Sequence, residues 1–137
     1  WQGYTRLADS ELSTRQARYL LFARALADAI GVERTINWGE ATPDAWTDGH
    51  SRIVITDSAV TSSHRLVWTH DLFLVLCHEA AHDRSDKHRT AHGRRFESRF
   101  RELVEDPTVR AEYTGIVTAI ADRGFKTVFQ ERGVSLG

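Results

Sequence analysis

Leu72-Phe73-Leu74-Val75-Leu76-Cys77-His78-Glu79-Ala80-Ala81-His82 is the stretch that decides how this 137-residue chain is read. Six apolar residues lead directly into an H-E-x-x-H pattern, and the run predicts a buried helix from about Asp71 to Asp83. On a helix, residues four apart stand one turn above each other on the same face. His78 and His82 therefore offer two imidazole nitrogens to one metal ion, with Glu79 about 100° round the helix beside them. An ordinary buried helix would leave these three polar side chains in need of partners, and a metal supplies them. Zinc suits such donors. Two histidines and one further protein ligand leave a fourth position for water, whose pKa the ion draws toward neutrality.

Upstream of this run, Ser13-Thr14-Arg15-Gln16 has the S-x-x-Q form of a capping box. Tyr19, Phe22, Leu26 and Ile30 follow at helical spacing, and Gly31 is placed as the cap that ends a long N-terminal helix. Residues 1–12 read as a lead-in. Arg34–Trp38 and Arg52–Thr56 are rich in β-branched and aromatic residues and predict two strands. Gly39, Pro43, Asp48 and Gly49 mark the stretch between them as loop. Arg65–Thr69 reads either as a third strand or as the approach to the H-E-x-x-H helix. Trp38, Trp46 and Trp68 are expected to pack under the sheet.

Downstream, residues 83–91 are polar and charged and predict a loop. An amphipathic helix is expected from about His92, with His92, Phe96, Phe100 and Leu103 on one face. Asp106-Pro107 supplies an N-cap and a first-turn proline for another helix, whose inner stripe is Val109, Tyr113, Ile116, Val117 and Ile120 and which Gly124 closes. The tail from Phe125 onward is expected to hold one short helical turn. The fold class is α+β: a long N-terminal helix, a small sheet of two or three strands, the H-E-x-x-H helix, then C-terminal helices.

The third ligand has two candidates. His88 lies six residues after His82, the metzincin spacing, but Ser85 stands where that group has its glycine, and a chain without methionine cannot make a methionine turn. His92 shares a face with Phe96 and Phe100, so burying that face carries it toward the motif helix, whereas His88 sits among Asp86, Lys87 and Arg89 in a solvated setting. H-E-x-x-H, a short loop, then His92-Gly93-Arg94-Arg95-Phe96 resembles the SprT-like zincin metallopeptidases. It is also similar to related small intracellular zinc peptidase domains, some attached to larger ATPase or nucleic-acid-linked proteins. The resemblance is strongest over Leu72–Phe100. It implies a zincin-like fold, one zinc ion on His78, His82 and His92, and Glu79 as the catalytic acid/base that moves protons during peptide-bond hydrolysis. Asp83 and Asp86 are candidates to hold a ligand imidazole from behind. Tyr113, His64, His70 or an arginine is expected to stabilise the oxyanion. Arg52–Thr56 is expected to be an edge strand able to pair with an extended substrate.

The rest of the chain narrows the alternatives. It reads as one zincin-like domain over residues 1–137, and the lack of methionine suggests a piece excised from a longer chain, with further domains or a partner protein expected. With 18 Lys+Arg against 19 Asp+Glu, charge gives no pull toward nucleic acid or membrane. The run Arg84, Lys87, His88, Arg89, Arg94, Arg95, Arg99, Arg101 is locally basic, but acidic residues interrupt it, and a solvated helix face is the simpler reading. No apolar run reaches membrane-spanning length. A single cysteine, Cys77, fits a reducing, cytoplasmic setting and reads as a small buried hydrophobe. Two alternatives to a peptidase acting on protein or peptide substrates are an inactive zincin-fold binding module and a nucleic-acid-associated protease domain.

Overall fold

The computed structural model describes residues 5–40, 44–62, 64–83 and 92–136. Among them are five α-helices and a four-stranded sheet, an α+β arrangement. The strands are β1 (Thr5–Arg6), β2 (Thr35–Glu40), β3 (Ala45–Thr47) and β4 (Arg52–Thr56), in the order β1-β2-β4-β3. β4 runs parallel to β2, with Ile36 opposite Ile53 and Trp38 opposite Ile55, and antiparallel to β3, with Val54 opposite Trp46. Ile53, Val54 and Ile55 are all buried, as a strand covered on both faces requires. Arg52–Thr56 is thus an interior strand and not the expected edge. Three residues are too few to show alternation, which is why β3 was hidden in a stretch read as loop. Gly39 has a steric reason: a Cβ there would stand 2.6 Å from Val54 Cγ1 and 3.0 Å from the Thr5 carbonyl, so only glycine lets β1 approach β2.

The long first helix, α1 (Thr14–Ile30), has the expected caps. Ser13 Oγ accepts from the Gln16 amide at 3.1 Å, Gln16 Oε1 accepts from the Ser13 amide at 3.0 Å, and Gly31 closes the helix at φ 79°. Arg65–Thr69 is the approach to the next helix, α2 (Val67–Ala81), and not a strand. The polar stretch after it leads to α3 (Arg94–Glu105), and α4 (Pro107–Arg123) begins where Asp106 accepts from the amides of Thr108 and Val109 at 2.8 and 3.0 Å. The tail holds more than one turn: α5 (Phe125–Glu131) buries Val128 and Phe129.

α1 and α2 pack together and against the sheet, and α4 and α5 pack on α1. Tyr19, Phe22 and Trp68 form an aromatic cluster between α1 and α2, with Trp38 of β2 against Tyr19. Trp38 and Trp68 are core residues, as expected. Trp46 is half-buried and shares the opposite sheet face with Val54. α3 lies against α2, which brings the two halves of the sequence motif together. Among the described residues, no helix is long and apolar enough to cross a membrane.

Candidate metal centre

α2 is buried along most of its length; its exposed residues, Val67 and His70, lie near its N-terminus, whereas Glu79 and Ala81 at its C-terminal end are buried. His78 lies in its last turn, and His82 is the residue that caps it, with extended backbone at φ −73° and ψ 140°. His92 comes from the other side of the polar stretch. It does not lie on α3, as expected, but two residues ahead of it, where Gly93 starts the helix, and it is exposed rather than drawn into the core. The three side chains nonetheless converge: each offers a ring nitrogen, and these atoms lie within 4.8 Å of one another. They are close enough to hold one metal ion.

Phe96 is the floor of this cluster. The His82 ring stacks on it at 4.3 Å between centroids, and the rings of His78 and His92 meet it edge-on at 4.9 and 5.0 Å. Phe100, one turn further along α3, touches His78 at 5.7 Å. The spacing from His92 to Phe96 therefore does two jobs, one in ligation geometry and one in packing. Burial, together with the neighbouring His82 and His92, pushes the His78 pKa down to about 4, so this imidazole is neutral at pH 7, the form that ligates a metal.

Glu79 is only 4% exposed. Among the described residues its Oε2 is a buried oxygen with no hydrogen-bond partner, a costly state unless something polar occupies the space beside it. Burial raises its pKa to about 7, against the lowering influence of Arg34. Three converging imidazoles suit a cation that carries its own water, and Glu79 follows one of them in the chain.

Two arginines to which sequence reasoning gave no role at the site hold the end of α2. Arg34, just before β2, donates through Nη1 to the Glu79 carbonyl at 2.6 Å and through Nη2 to the His82 carbonyl at 2.6 Å. It also donates to the Gly49 carbonyl at 3.0 Å, tying the approach to β4 to the same helix end. Arg99 of α3 donates through Nε to the Ala81 carbonyl at 2.5 Å and lies 3.4 Å from the Asp83 carboxylate. The last carbonyls of any helix lack partners within it, and α2 ends without a glycine cap. That absence was the available signal: cationic side chains were needed to take those carbonyls and to meet the negative end of the helix dipole. Replacing Arg34 with alanine strands two carbonyls beside the cluster. The affinity of the three-histidine cluster for a divalent metal ion is expected to fall ~10-fold, the order of the loss when a group that positions a ligand is removed. Isothermal titration with zinc checks this, and Arg34→Lys, which keeps the charge without the fork, should recover only part of the loss.

The other candidates fall away from the cluster. Tyr113 hydrogen-bonds Thr69 Oγ1 at 3.2 Å and stacks on Phe73, and His70 lies beside both rings. Thr69 is nine residues before His78, about 13 Å along the helix, so neither Tyr113 nor His70 reaches an oxyanion at the metal. His64 precedes α2 and is further still, and its amide donates to Ser62 Oγ. His50 belongs to a separate turn built on Asp48. His88 and Asp86 lie outside the described residues, as do Arg84, Lys87 and Arg89. Of the basic run that is described, Arg99 is turned inward, and Arg94 and Arg101 share an exposed face with Glu97, Glu102 and Glu105. No family model, curated protein or solved structure matches the chain.

Proposed function

We propose that the chain is a zinc-dependent metallopeptidase of zincin type, with one zinc ion on His78, His82 and His92 and Glu79 as general base and acid. The observation that carries this reading is the convergence of three imidazoles from opposite sides of the polar stretch; next to His78 in the chain, Glu79 has a buried carboxylate oxygen with no partner among the described residues. Bound zinc supplies a Lewis acid with an open position, which lowers the pKa of water and polarises a carbonyl. Glu79 then takes a proton at Oε2 and delivers it to the leaving amine. The burial that raises its pKa toward neutrality suits both halves of that transfer. Arg34 fixes the backbone of Glu79 and His82, so the base and one ligand keep a constant relation. A purely structural metal site has no use for Glu79, which speaks against an inactive binding module. The mixed charge on the exposed face of α3 gives no support to a nucleic-acid surface. The substrate class is protein or peptide, and a single buried thiol fits a cytoplasmic setting.

The test is hydrolysis of a fluorogenic peptide library by the zinc-loaded chain. Cleavage should stop on chelation and return when zinc is added back. Full zinc loading with no cleavage of any peptide would favour the binding module.

A further inference from the structure

At the other end of α2, away from the histidines, the N-terminal ends of α1 and α2 border a hollow of about 570 Å³. Arg15 and Arg18 of α1 and Arg65, just ahead of α2, line it, and among the described residues no acidic one does. Among the described residues, the guanidinium groups of Arg15 and Arg65 have neither ion pair nor hydrogen bond, and that of Arg18 lies only over the Phe125 ring, 4.3 Å from its centre. All three arginines are exposed to solvent, so their guanidinium groups are free to turn toward an anion in the hollow. No side chain caps the N-terminus of α2.

Tyr19 adds an independent observation. It is 4% exposed, with the ring packed against Trp38 and Trp68, yet its hydroxyl makes no hydrogen bond among the described residues. It lines this hollow and the adjoining one, so a side chain with a buried ring presents to them a solvent-accessible hydroxyl that has no acceptor among the described residues. Burial raises its pKa, as does the Asp57 carboxylate, with Arg15 and Arg18 opposing, so at neutral pH it is a phenol with a proton to donate. The nearby carboxylate of Asp57, in the adjoining hollow, is already taken, accepting from Trp38 Nε1 at 2.7 Å and Gln16 Nε2 at 3.0 Å.

We propose that this hollow binds a small phosphorylated ligand, with Arg15, Arg18 and Arg65 on the phosphate oxygens and the Tyr19 hydroxyl donating to one of them. Guanidinium groups match phosphate by paired N–H donation, and the volume suits a ligand of mononucleotide size. Trp68, in the first turn of α2, lies ten residues before His78, about 15 Å along the helix, so this site and the histidine cluster are separate.

Isothermal titration of the chain with pyrophosphate and, separately, with ADP tests it, in the parent, Tyr19→Phe and Arg65→Gln. Saturable binding is expected, weakened about tenfold in each variant. Tyr19→Phe keeps the packed ring, and an unchanged thermal melt establishes that it folds. Arg101→Gln, which removes equal charge outside the hollow, should bind like the parent. Tighter binding of ADP than of pyrophosphate identifies an organic phosphate as the ligand; equal binding identifies the phosphate group alone. No saturable binding of either probe, or an affinity that either hollow substitution leaves unchanged, overturns the assignment.

Discussion

Glu79→Gln is expected to abolish peptide hydrolysis, by about 10³-fold or more, while leaving zinc affinity within a few-fold of the parent. General acid–base groups contribute about 10²–10⁴-fold, and in the proposed mechanism one carboxylate would serve in both directions, which puts the expected loss at the upper part of that range. Zinc stays because Glu79 is not among the three converging ligands. The same substitution also separates catalysis from stability. In the metal-free chain, burial holds the Glu79 pKa at about 7, above its ordinary value of 4.5. A carboxyl with a raised folded pKa is tolerated at low pH and becomes destabilising as pH climbs from the unfolded value through the folded one. The amide cannot ionise. Without metal, the variant should therefore gain on the parent as pH rises from about 4.5 to 7, read as a difference in denaturant midpoint. With zinc bound, the gain should shrink, because the cation favours the ionised carboxylate.

His92→Ala should lower zinc affinity on the order of 10³-fold and take hydrolysis with it. Structural zinc sites with four ligands bind with about 10–16 kcal/mol, so each ligand carries several kcal/mol. His92 has little else to lose: it is exposed, and its ring packs mainly on Phe96 and the other two histidines. Its removal should leave the melting temperature of the metal-free chain almost unchanged. His78→Ala and His82→Ala lose zinc equally but should also perturb the packing against Phe96. His88→Ala should change zinc affinity less than about threefold, as expected of a residue outside the coordination shell. A strong loss in His88→Ala with zinc retained in His92→Ala would reverse the choice of third ligand.

Much of this site was legible because its information is local. Helical periodicity alone sets His78 and His82 one turn apart, and the apolar residues before them announce a buried helix. His92 was reached through Phe96, and the structure keeps the pairing while changing the reason. The imidazole is brought in by the turn at Gly93 and laid on Phe96, not carried inward on a helix face. What stayed hidden depends on where backbone groups meet in space. Arg34 lies 45 residues from the Glu79 carbonyl it serves, and nothing in its neighbours betrays that target. The expected oxyanion donors failed for a similar reason: Tyr113 is in the core stripe of α4, but α4 meets α2 near Thr69, more than two turns from the histidines. Ala45–Thr47 shows no strand signal of its own, and its pairing with β4 turned an expected edge into an interior strand.

The most direct test of the central claim is the coordination shell of the zinc-loaded chain, read by X-ray absorption in the parent and in His92→Ala. Three imidazole nitrogens at about 2.0–2.1 Å, with one oxygen donor, are expected in the parent, and one imidazole fewer in the variant. A shell with only two imidazoles in the parent, or one that His92→Ala leaves unchanged, would contradict a site built from His78, His82 and His92.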